Sequence, residues 1–190
     1  MTVVQRKEFA PPPVDRQEIL RYALCRQPDD AALEMLERCL DAAAPVLSYR
    51  VCWTEVPVTV TGNTCDVGDF SLSSRRLALH LRGCKKAVIF AATIGLEMDR
   101  LIAKFGRLSP TMGLWMQAVG TERVEALCDT FCAELKSTRP RFSPGYGDLK
   151  LSAQKIIFDR LDCPRQIGLT LNDSYIMSPS KSVTAIVGLD

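Results

Sequence analysis

The chain lacks most of the features that mark metal sites, catalytic thiols and membrane spans. Its 190 residues include a single histidine, His80, and none of the eight cysteines forms a Cys-x-x-Cys pair. Structural zinc usually needs four clustered Cys or His ligands, so the sequence gives no indication of a metal centre. No segment approaches the roughly 20 apolar residues that a membrane-spanning helix requires. These absences exclude membrane-embedded functions and disfavour metal-based ones.

The sequence also lacks a long run of charge of one sign. Its 24 basic and 22 acidic residues leave a net charge of +2. Nucleic-acid binding depends on concentrated positive charge, so nucleic acid is not an expected partner. The first 13 residues carry charges and a proline triplet instead of an apolar signal core. We therefore expect a cytoplasmic protein that does not associate with a membrane.

The cysteines are scattered along the chain, and no signal peptide accompanies them. Disulfides are typical of secreted proteins, so we interpret these cysteines as buried thiols. Cys128 and Cys132 lie one helical turn apart within an apolar helical pattern. A thiol enzyme would have to use His80 as its base, and nothing in the sequence brings a cysteine to it. A thiol enzyme is therefore the weakest of the functions that we consider for this sequence.

Length and a hydrophobic content of 47% indicate one mixed α and β domain, at residues 15–190, after an N-terminal arm at residues 1–14. Apolar residues at helical spacing predict helices at 15–25, 30–47, 96–105, 110–135 and 152–161. A further helix is predicted to end at Leu81 and to begin at a cap formed by Ser71, Ser73 or Ser74. Alternating and β-branched residues predict strands at 49–60, 64–67, 86–92, 168–171 and 181–189. The Gly62-Asn63 turn between the first two strands predicts an antiparallel hairpin at a sheet edge.

The most informative segment runs from Arg141 to Asp148 and reads Arg-Phe-Ser-Pro-Gly-Tyr-Gly-Asp. Pro144 fixes its own φ, while Gly145 and Gly147 permit backbone conformations that other residues resist. Such a loop can present backbone amides, a guanidinium group and a phenol ring to a small molecule. The alternative is an ordinary tight turn with a half-buried tyrosine.

A second polar segment, residues 171–183, follows the predicted helix at 152–161. It is rich in residues that favour turns and can form hydrogen bonds with a ligand, and it contains Tyr175. If the flanking strands pair, both loops would converge on one pocket, which is the usual arrangement of a site carried by loops on a rigid scaffold.

The residues of these two loops resemble a known family. The matching motifs are Arg141-x-x-x-Gly145-Tyr146, Gly168-x-Thr170-Leu171 and Ser174-Tyr175-x-Met177-x-Pro179-x-x-Ser182-Val183. In this order they resemble the activation domain of vitamin B12-dependent methionine synthase, and most closely its short stand-alone relatives. The resemblance is most specific over residues 141–188, with a looser match at the Ala91–Gly95 junction. Paired motifs in order are more specific than either motif alone.

The resemblance implies a fold and a role. The fold is a single C-shaped α+β domain with a central antiparallel β-sheet flanked by helices. The implied role is to bind S-adenosylmethionine and to dock onto the cobalamin domain of a methionine synthase or a related corrinoid protein. There the bound methyl donor restores methylcobalamin from cob(II)alamin, with a flavodoxin-like protein as the electron donor. We expect no independent enzymatic activity.

The ligand-binding residues that the resemblance implies are Arg141, Ser143, Gly145, Tyr146, Asp148 and Tyr175. Arg141 would hold the ligand carboxylate, because its planar fork of donors suits that group. Tyr146 would lie beside the reacting centre, where its ring face attracts the sulfonium cation. Gly147-Asp148 replaces the proline that follows this tyrosine in the large enzyme, which either loosens the loop or gives Asp148 a role with the ligand's amino group. Tyr175 would line the pocket or fill the sheet core.

The sequence also departs from the family in its first 30 residues. The large enzyme uses an acidic residue from its N-terminal arm to hold the ligand's amino group, and no segment of residues 1–30 matches it convincingly. The alternative hypothesis is therefore a docking or sensing module for a corrinoid protein that has lost S-adenosylmethionine binding.

Overall fold

The computed structural model describes residues 3–135 and 139–189 and has an antiparallel sheet at its centre. The strands of this sheet follow the order β4-β3-β2-β5-β8, and β1 pairs with β2 beside β3. A separate two-stranded hairpin is formed by β6 and β7. The strands are β1 (Gln5–Phe9), β2 (Tyr49–Thr61), β3 (Thr64–Val67), β4 (Phe70–Ser73), β5 (Lys86–Thr93), β6 (Thr170–Leu171), β7 (Met177–Ser178) and β8 (Ser182–Leu189).

Seven α-helices flank the sheet within the described residues, and a short 3-10 helix (Ala44–Val46) follows the second of them. Among them, no helix combines the length and the apolar character needed to cross a bilayer. The helices are α1 (Arg16–Tyr22), α2 (Asp30–Ala43), α3 (Arg75–His80), α4 (Leu96–Leu108), α5 (Pro110–Glu134), α6 (Ala153–Leu161) and α7 (Cys163–Ile167). The predicted α+β class with an antiparallel sheet flanked by helices is confirmed.

Strand β5 separates two hydrophobic cores. Val88, Phe90 and Ala92 pack with α1, α2, α4 and α5 on one face, whereas Ala87 and Ile89 pack with α3, α6 and α7 on the other. Because side chains alternate along a strand, a strand covered on both faces must be apolar at every position. This requirement explains the continuous apolar run in β5.

Five of the eight strands were predicted, whereas β1, β4 and β7 were not, and the predicted hairpin has a different place in the sheet. The hairpin of β2 and β3 forms with Thr61 opposite Thr64. It does not lie at the sheet edge, because β5 pairs along the other side of β2 and β4 pairs with β3. The predicted arm contains β1, of which only Phe9 is buried. An exposed strand of this kind has no hydrophobic pattern that a sequence can reveal.

A buried ion pair fastens the N-terminal segment to α5. Glu122 and Arg123 are 3% and 2% exposed, and the Arg123 guanidinium donates to a Glu122 oxygen at 2.5 Å. Arg123 also donates to the carbonyl oxygens of Pro12 and Pro13, each at 2.7 Å, while Glu122 accepts from the Asp15 amide at 2.9 Å. These hydrogen bonds attach the segment that leads into α1 to helix α5, and Arg123 also interacts with the Tyr49 side chain of β2.

The loop that contains the 141–148 segment is held at both ends. Phe142 exchanges two backbone hydrogen bonds of 2.9 Å with Ile186 and so extends the sheet beside β8. At the other end, the Asp148 carboxylate accepts hydrogen bonds from the Ser74 hydroxyl and from the amides of Arg75 and Arg76. Asp148 therefore caps the start of α3 from a distant part of the chain.

We expect Glu122→Gln to destabilise the protein by roughly 3–5 kcal/mol, because the buried Arg123 charge would lose its partner. The measurement is urea unfolding followed by circular dichroism. Glu55→Gln is the matched control, since Glu55 pairs with Lys86 at the surface, where the two side chains are 45% and 63% exposed. The control should cost under about 1 kcal/mol. Equal losses for the two variants would contradict the role of the buried pair.

Because of Asp148, the stability of the protein should depend on pH in the acidic range. The Ser74 hydroxyl and the amides of Arg76 and Arg75 hold the pKa of Asp148 below its usual value. A depressed folded-state pKa stabilises the protein above the unfolded value of about 3.9, and that stabilisation is lost as the pH falls through the folded pKa. Asp148→Asn should therefore be less stable than the wild type at neutral pH, and the difference should shrink in acid.

The measurement for Asp148 is a set of thermal melts from neutral pH to acid. Asp173→Asn serves as the control, because the Asp173 carboxylate makes no side-chain hydrogen bond or ion pair with the described part of the chain. An Asp148→Asn difference that stays constant across the pH range would rule out capping by the ionised carboxylate.

Candidate functional site

Arg141 lies at the start of the loop and pairs with helix α5. Its Nη2 donates to a Glu125 carboxylate oxygen at 2.7 Å, and its Nη1 lies 2.9 Å from an Asp129 oxygen. The Arg141 side chain is 21% exposed. Glu125 and Asp129 are four residues apart and therefore share one face of α5. Two carboxylates from one helix thus fix the guanidinium of the predicted anchor.

The two ion pairs of Arg141 are not equivalent. The contact with Asp129 is short in distance, but Nη1 is buried and has no aligned hydrogen bond with any described residue. Hydrogen bonds weaken steeply away from linearity, so the contact with Asp129 is an ion pair and not a hydrogen bond. A guanidinium offers five N–H donors, so Arg141 keeps donors for a further acceptor.

Glu125 and Asp129 also line a cleft between α5 and the N-terminal segment, which we call the arm cleft. It encloses about 390 Å³, and its wall includes Pro12, Glu18 and Tyr22. Its lining is acidic and contains no lysine or arginine, but Arg141 pairs with Glu125 and Asp129 from outside the lining. Burial raises the pKa of the Tyr22 phenol, which keeps that ring neutral.

Tyr146 lies at the exposed tip of the loop. It is 61% exposed, and its ring packs edge-on against Phe142 with centroids 5.4 Å apart. Phe142 in turn packs against the His80 ring of α3 at 5.4 Å. The structure excludes the alternative of a half-buried turn tyrosine, because most of the Tyr146 side chain is exposed to solvent.

The backbone of the loop is tightly turned. The Tyr146 amide donates to the Ser143 carbonyl at 3.1 Å, and the Gly145 amide donates to the Leu149 carbonyl at 2.9 Å. Gly145 and Gly147 have φ values of 86° and 62°, which lie in the left-handed region. An added Cβ at Gly147 would lie 2.5 Å from Cδ of Arg76, so only glycine allows Arg76 to pack there.

Gly147 and Asp148 line a second cleft, beside α3, which we call the α3 cleft. It encloses about 660 Å³ and is completed by Arg75, Arg76 and Leu79. Both oxygens of Asp148 are engaged in the cap of α3. The structure thus gives Asp148 a structural contact that the sequence did not indicate.

Tyr175 lies in a third cleft, between α6, α7 and the β6–β7 hairpin. The lining of this cleft, which encloses about 490 Å³, includes Lys155 and Asp159 but no residue of the 141–148 segment. The Tyr175 carbonyl accepts a hydrogen bond from Gln154 at 3.3 Å, and the residue has a φ of 60°. The expected convergence of both polar loops on one pocket is therefore not seen: their residues line different clefts.

The structure gives no support for a thiol enzyme. Burial, followed by the charge of Arg139, lowers the pKa of His80, whose Nε2 is enclosed without a hydrogen-bond partner among the described residues. Burial raises the pKa of the Cys65 thiol to about 11 and also raises that of Cys128. Raised thiol pKa values disfavour the thiolate, which is the reactive form. Six of the eight cysteines are buried.

Sequence reasoning missed the partners of the predicted residues. Glu125 and Asp129 hold Arg141, Ser74 binds Asp148, and Gln154 binds the backbone of Tyr175. The spacing of Glu125 and Asp129 on a long helix was a usable signal, since it places two carboxylates side by side. Nothing local pointed to Ser74, which is 74 residues from Asp148.

The sequence and the fold of the chain were compared with those of known proteins. No protein-family model matches the chain, and a search of curated proteins gives no match. Among solved structures, the chain is similar to the crystal structure of the MetH reactivation domain bound to AdoHcy, with a TM-score of 0.71 and 15% sequence identity. The superposition covers 98% of this chain and 78% of that one. The chain therefore has the fold of the MetH reactivation domain, over nearly its whole length.

Proposed function

We propose that this protein binds S-adenosylmethionine and presents it to a corrinoid protein as the methyl donor for reductive methylation of cob(II)alamin. The observation that carries the proposal is the fold shared with the MetH reactivation domain, whose crystal structure contains AdoHcy. AdoHcy is S-adenosylhomocysteine, the molecule that remains when S-adenosylmethionine loses its methyl group. The motif at Arg141-x-x-x-Gly145-Tyr146 supports the same ligand independently of the fold.

The chemistry of the proposed reaction assigns a limited task to this chain. One electron, from a flavodoxin-like donor, reduces cob(II)alamin to cob(I)alamin on the partner protein. The cobalt then attacks the methyl carbon, a cobalt–carbon bond forms, and the carbon–sulfur bond breaks to leave S-adenosylhomocysteine. This chain would position the methyl group and supply no group to the reacting atoms.

Within this proposal, Arg141 is the anchor for the ligand carboxylate. Its guanidinium is fixed by Glu125 and retains a buried Nη1 without an aligned hydrogen bond. A donor that is already oriented loses little conformational entropy when a carboxylate binds. The acidic arm cleft beside it also contains Asp15 and Glu18, which would offer a counter-charge for the ligand's amino group. Ser143, Gly145 and Tyr146 would complete the site from the loop.

Asp148 and Tyr175 have a weaker claim to ligand contact. We propose that Asp148 acts mainly by shaping the loop through the α3 cap, since its oxygens already accept three hydrogen bonds. Tyr175 would contribute through the backbone that joins it to Gln154 at the start of α6.

One observation favours the alternative of a docking or sensing module without S-adenosylmethionine binding. Two carboxylates already neutralise Arg141, so a ligand carboxylate must compete with Glu125 and Asp129 for the guanidinium. The two functions differ in one measurable property, which is the affinity for S-adenosylmethionine in the absence of the corrinoid partner.

We expect calorimetric titration of S-adenosylmethionine to give saturable binding that Arg141→Ala weakens by at least about ten-fold, the effect of losing a charged hydrogen bond. Arg160→Ala is the matched control: Arg160 is also 21% exposed and pairs with Asp69 at 2.9 Å. The control should bind as the wild type does. If the wild type fails to bind even at millimolar ligand, the docking module becomes the better hypothesis.

The double variant Glu125→Gln, Asp129→Asn separates anchoring from folding. It leaves Arg141 in place and removes the two charges that compete for it, so binding should persist if Arg141 contacts the ligand carboxylate. Loss of binding in this variant, with its melting temperature unchanged, would assign the ligand contact to the α5 carboxylates instead of Arg141.

Tyr146 should contribute through its ring face. Tyr146→Ala is expected to weaken S-adenosylmethionine binding by about 0.5–2 kcal/mol, the range of an aromatic contact with a cation, whereas Tyr146→Phe should bind normally. Titration with S-adenosylhomocysteine is the internal control, because it lacks the sulfonium charge and should be less sensitive to Tyr146→Ala. Equal sensitivity of both ligands would contradict a contact with the sulfonium.

A further inference from the structure

An arginine whose charge the described residues leave unpaired lies away from the proposed ligand loop. Arg50, on β2, is half-buried, and its Nε is enclosed without a hydrogen-bond partner in the residues that the structure describes. Its guanidinium forms no salt bridge within residues 3–135 and 139–189. Buried polar groups are nearly always satisfied, so such a group calls for a bound ion, water or ligand.

Arg50 lines a cleft between β1 and the end of α7, which we call the β1 cleft. The cleft encloses about 280 Å³. Arg6, Glu8 and Gln166 contribute to its lining, and Ile167, 2% exposed, forms its apolar side. The volume exceeds that of a single water molecule many times over, so the cleft is large enough for a small organic ion.

The charges in the β1 cleft come mainly from one face of two paired strands. Glu8 lies opposite Arg50, and Arg6 lies opposite Cys52. Residues directly opposite in an antiparallel pair share a face, so the charges of Arg6, Glu8 and Arg50 lie on the same side of the sheet. Lys7 is also among the lining residues, but its ammonium group pairs with Glu134 of α5 at 2.6 Å.

Glu8 is the carboxylate that would compete with a bound anion for the Arg50 guanidinium. It is the cross-strand neighbour of Arg50, yet the two form no ion pair within 4.0 Å among the described contacts. Arg6 likewise makes no side-chain hydrogen bond or ion pair in the part of the chain that the structure describes. Two guanidinium groups against one carboxylate leave the cleft with an excess of positive charge.

We propose that the β1 cleft is a binding site for a small oxyanion, the carboxylate or phosphate group of a small molecule. The planar fork of Arg50 would receive two oxygens, and a modest turn of the guanidinium would bring the unsatisfied Nε edge to the ligand. Arg6 supplies a second positive charge, the Gln166 amide a neutral donor, and Ile167 an apolar contact for the carbon skeleton.

This site is separate from the proposed S-adenosylmethionine site. The loop at Phe142 is attached beside β8, whereas Arg50 and Arg6 are at the pairing of β1 and β2. β5 lies between β2 and β8, so neighbouring strands of about 4.8 Å spacing separate the two places. The inference therefore holds or fails independently of the proposed function.

The test is calorimetric titration of the intact protein with inorganic phosphate and, separately, with succinate, at an ionic strength held constant with sodium chloride. At least one anion should bind saturably, and the better ligand identifies the source of the oxyanion. Arg50→Gln should weaken that binding by about ten-fold or more. Arg6→Gln, at an exposed position of β1, should weaken it without affecting the fold.

Glu8→Gln provides an effect of opposite sign, because removing the competing carboxylate should tighten anion binding. Arg107→Gln is the control for loss of a positive charge elsewhere and should leave the affinity unchanged. Failure of both anions to bind the wild type would overturn the proposal. So would binding that Arg50→Gln and Arg6→Gln leave intact, since that result would place the anion elsewhere.

Discussion

The structure depends on the docking of helix α5 across the sheet. Phe131 of α5 packs against Phe9 of β1, Trp53 of β2 and Phe90 of β5, with ring centroids 6.3, 5.1 and 4.9 Å apart. This one side chain joins three strands that are distant in sequence. Aromatic contacts of this kind add to the free energy of burial and also fix an orientation, because edge and face interact differently. The helix is thereby held in one rotation about its axis.

That rotation places the polar residues of α5. Glu122 and Arg123 contact the N-terminal segment, while Glu125 and Asp129 contact Arg141 at the start of the 141–148 loop. The first pair is almost fully buried and acts on stability, whereas the second is partly exposed and orients a guanidinium. One helix therefore holds the N-terminal segment and the proposed anchor in a fixed relation, with the arm cleft between them.

The 141–148 loop is held at both ends and exposed at its tip. Its ends are fixed by Phe142 at β8 and by Asp148 at α3, and Tyr146 stands between them with most of its surface in solvent. A rigid loop with an exposed aromatic ring suits a surface that must hold a small molecule and also meet a partner protein. This arrangement is consistent with the proposed function.

The sequence by itself determined the elements whose pattern is local. The apolar run of β5, the long helix α5 and the glycine-rich loop were all predictable, because burial on both faces, helical spacing and turn chemistry leave a signal within a few residues. Only the tertiary structure decided that Arg141 meets two carboxylates of α5, that Asp148 caps α3, and that Tyr175 lines a different cleft from Gly147. These contacts join distant parts of the chain, and the sequence around a residue does not indicate which distant residue will contact it after folding.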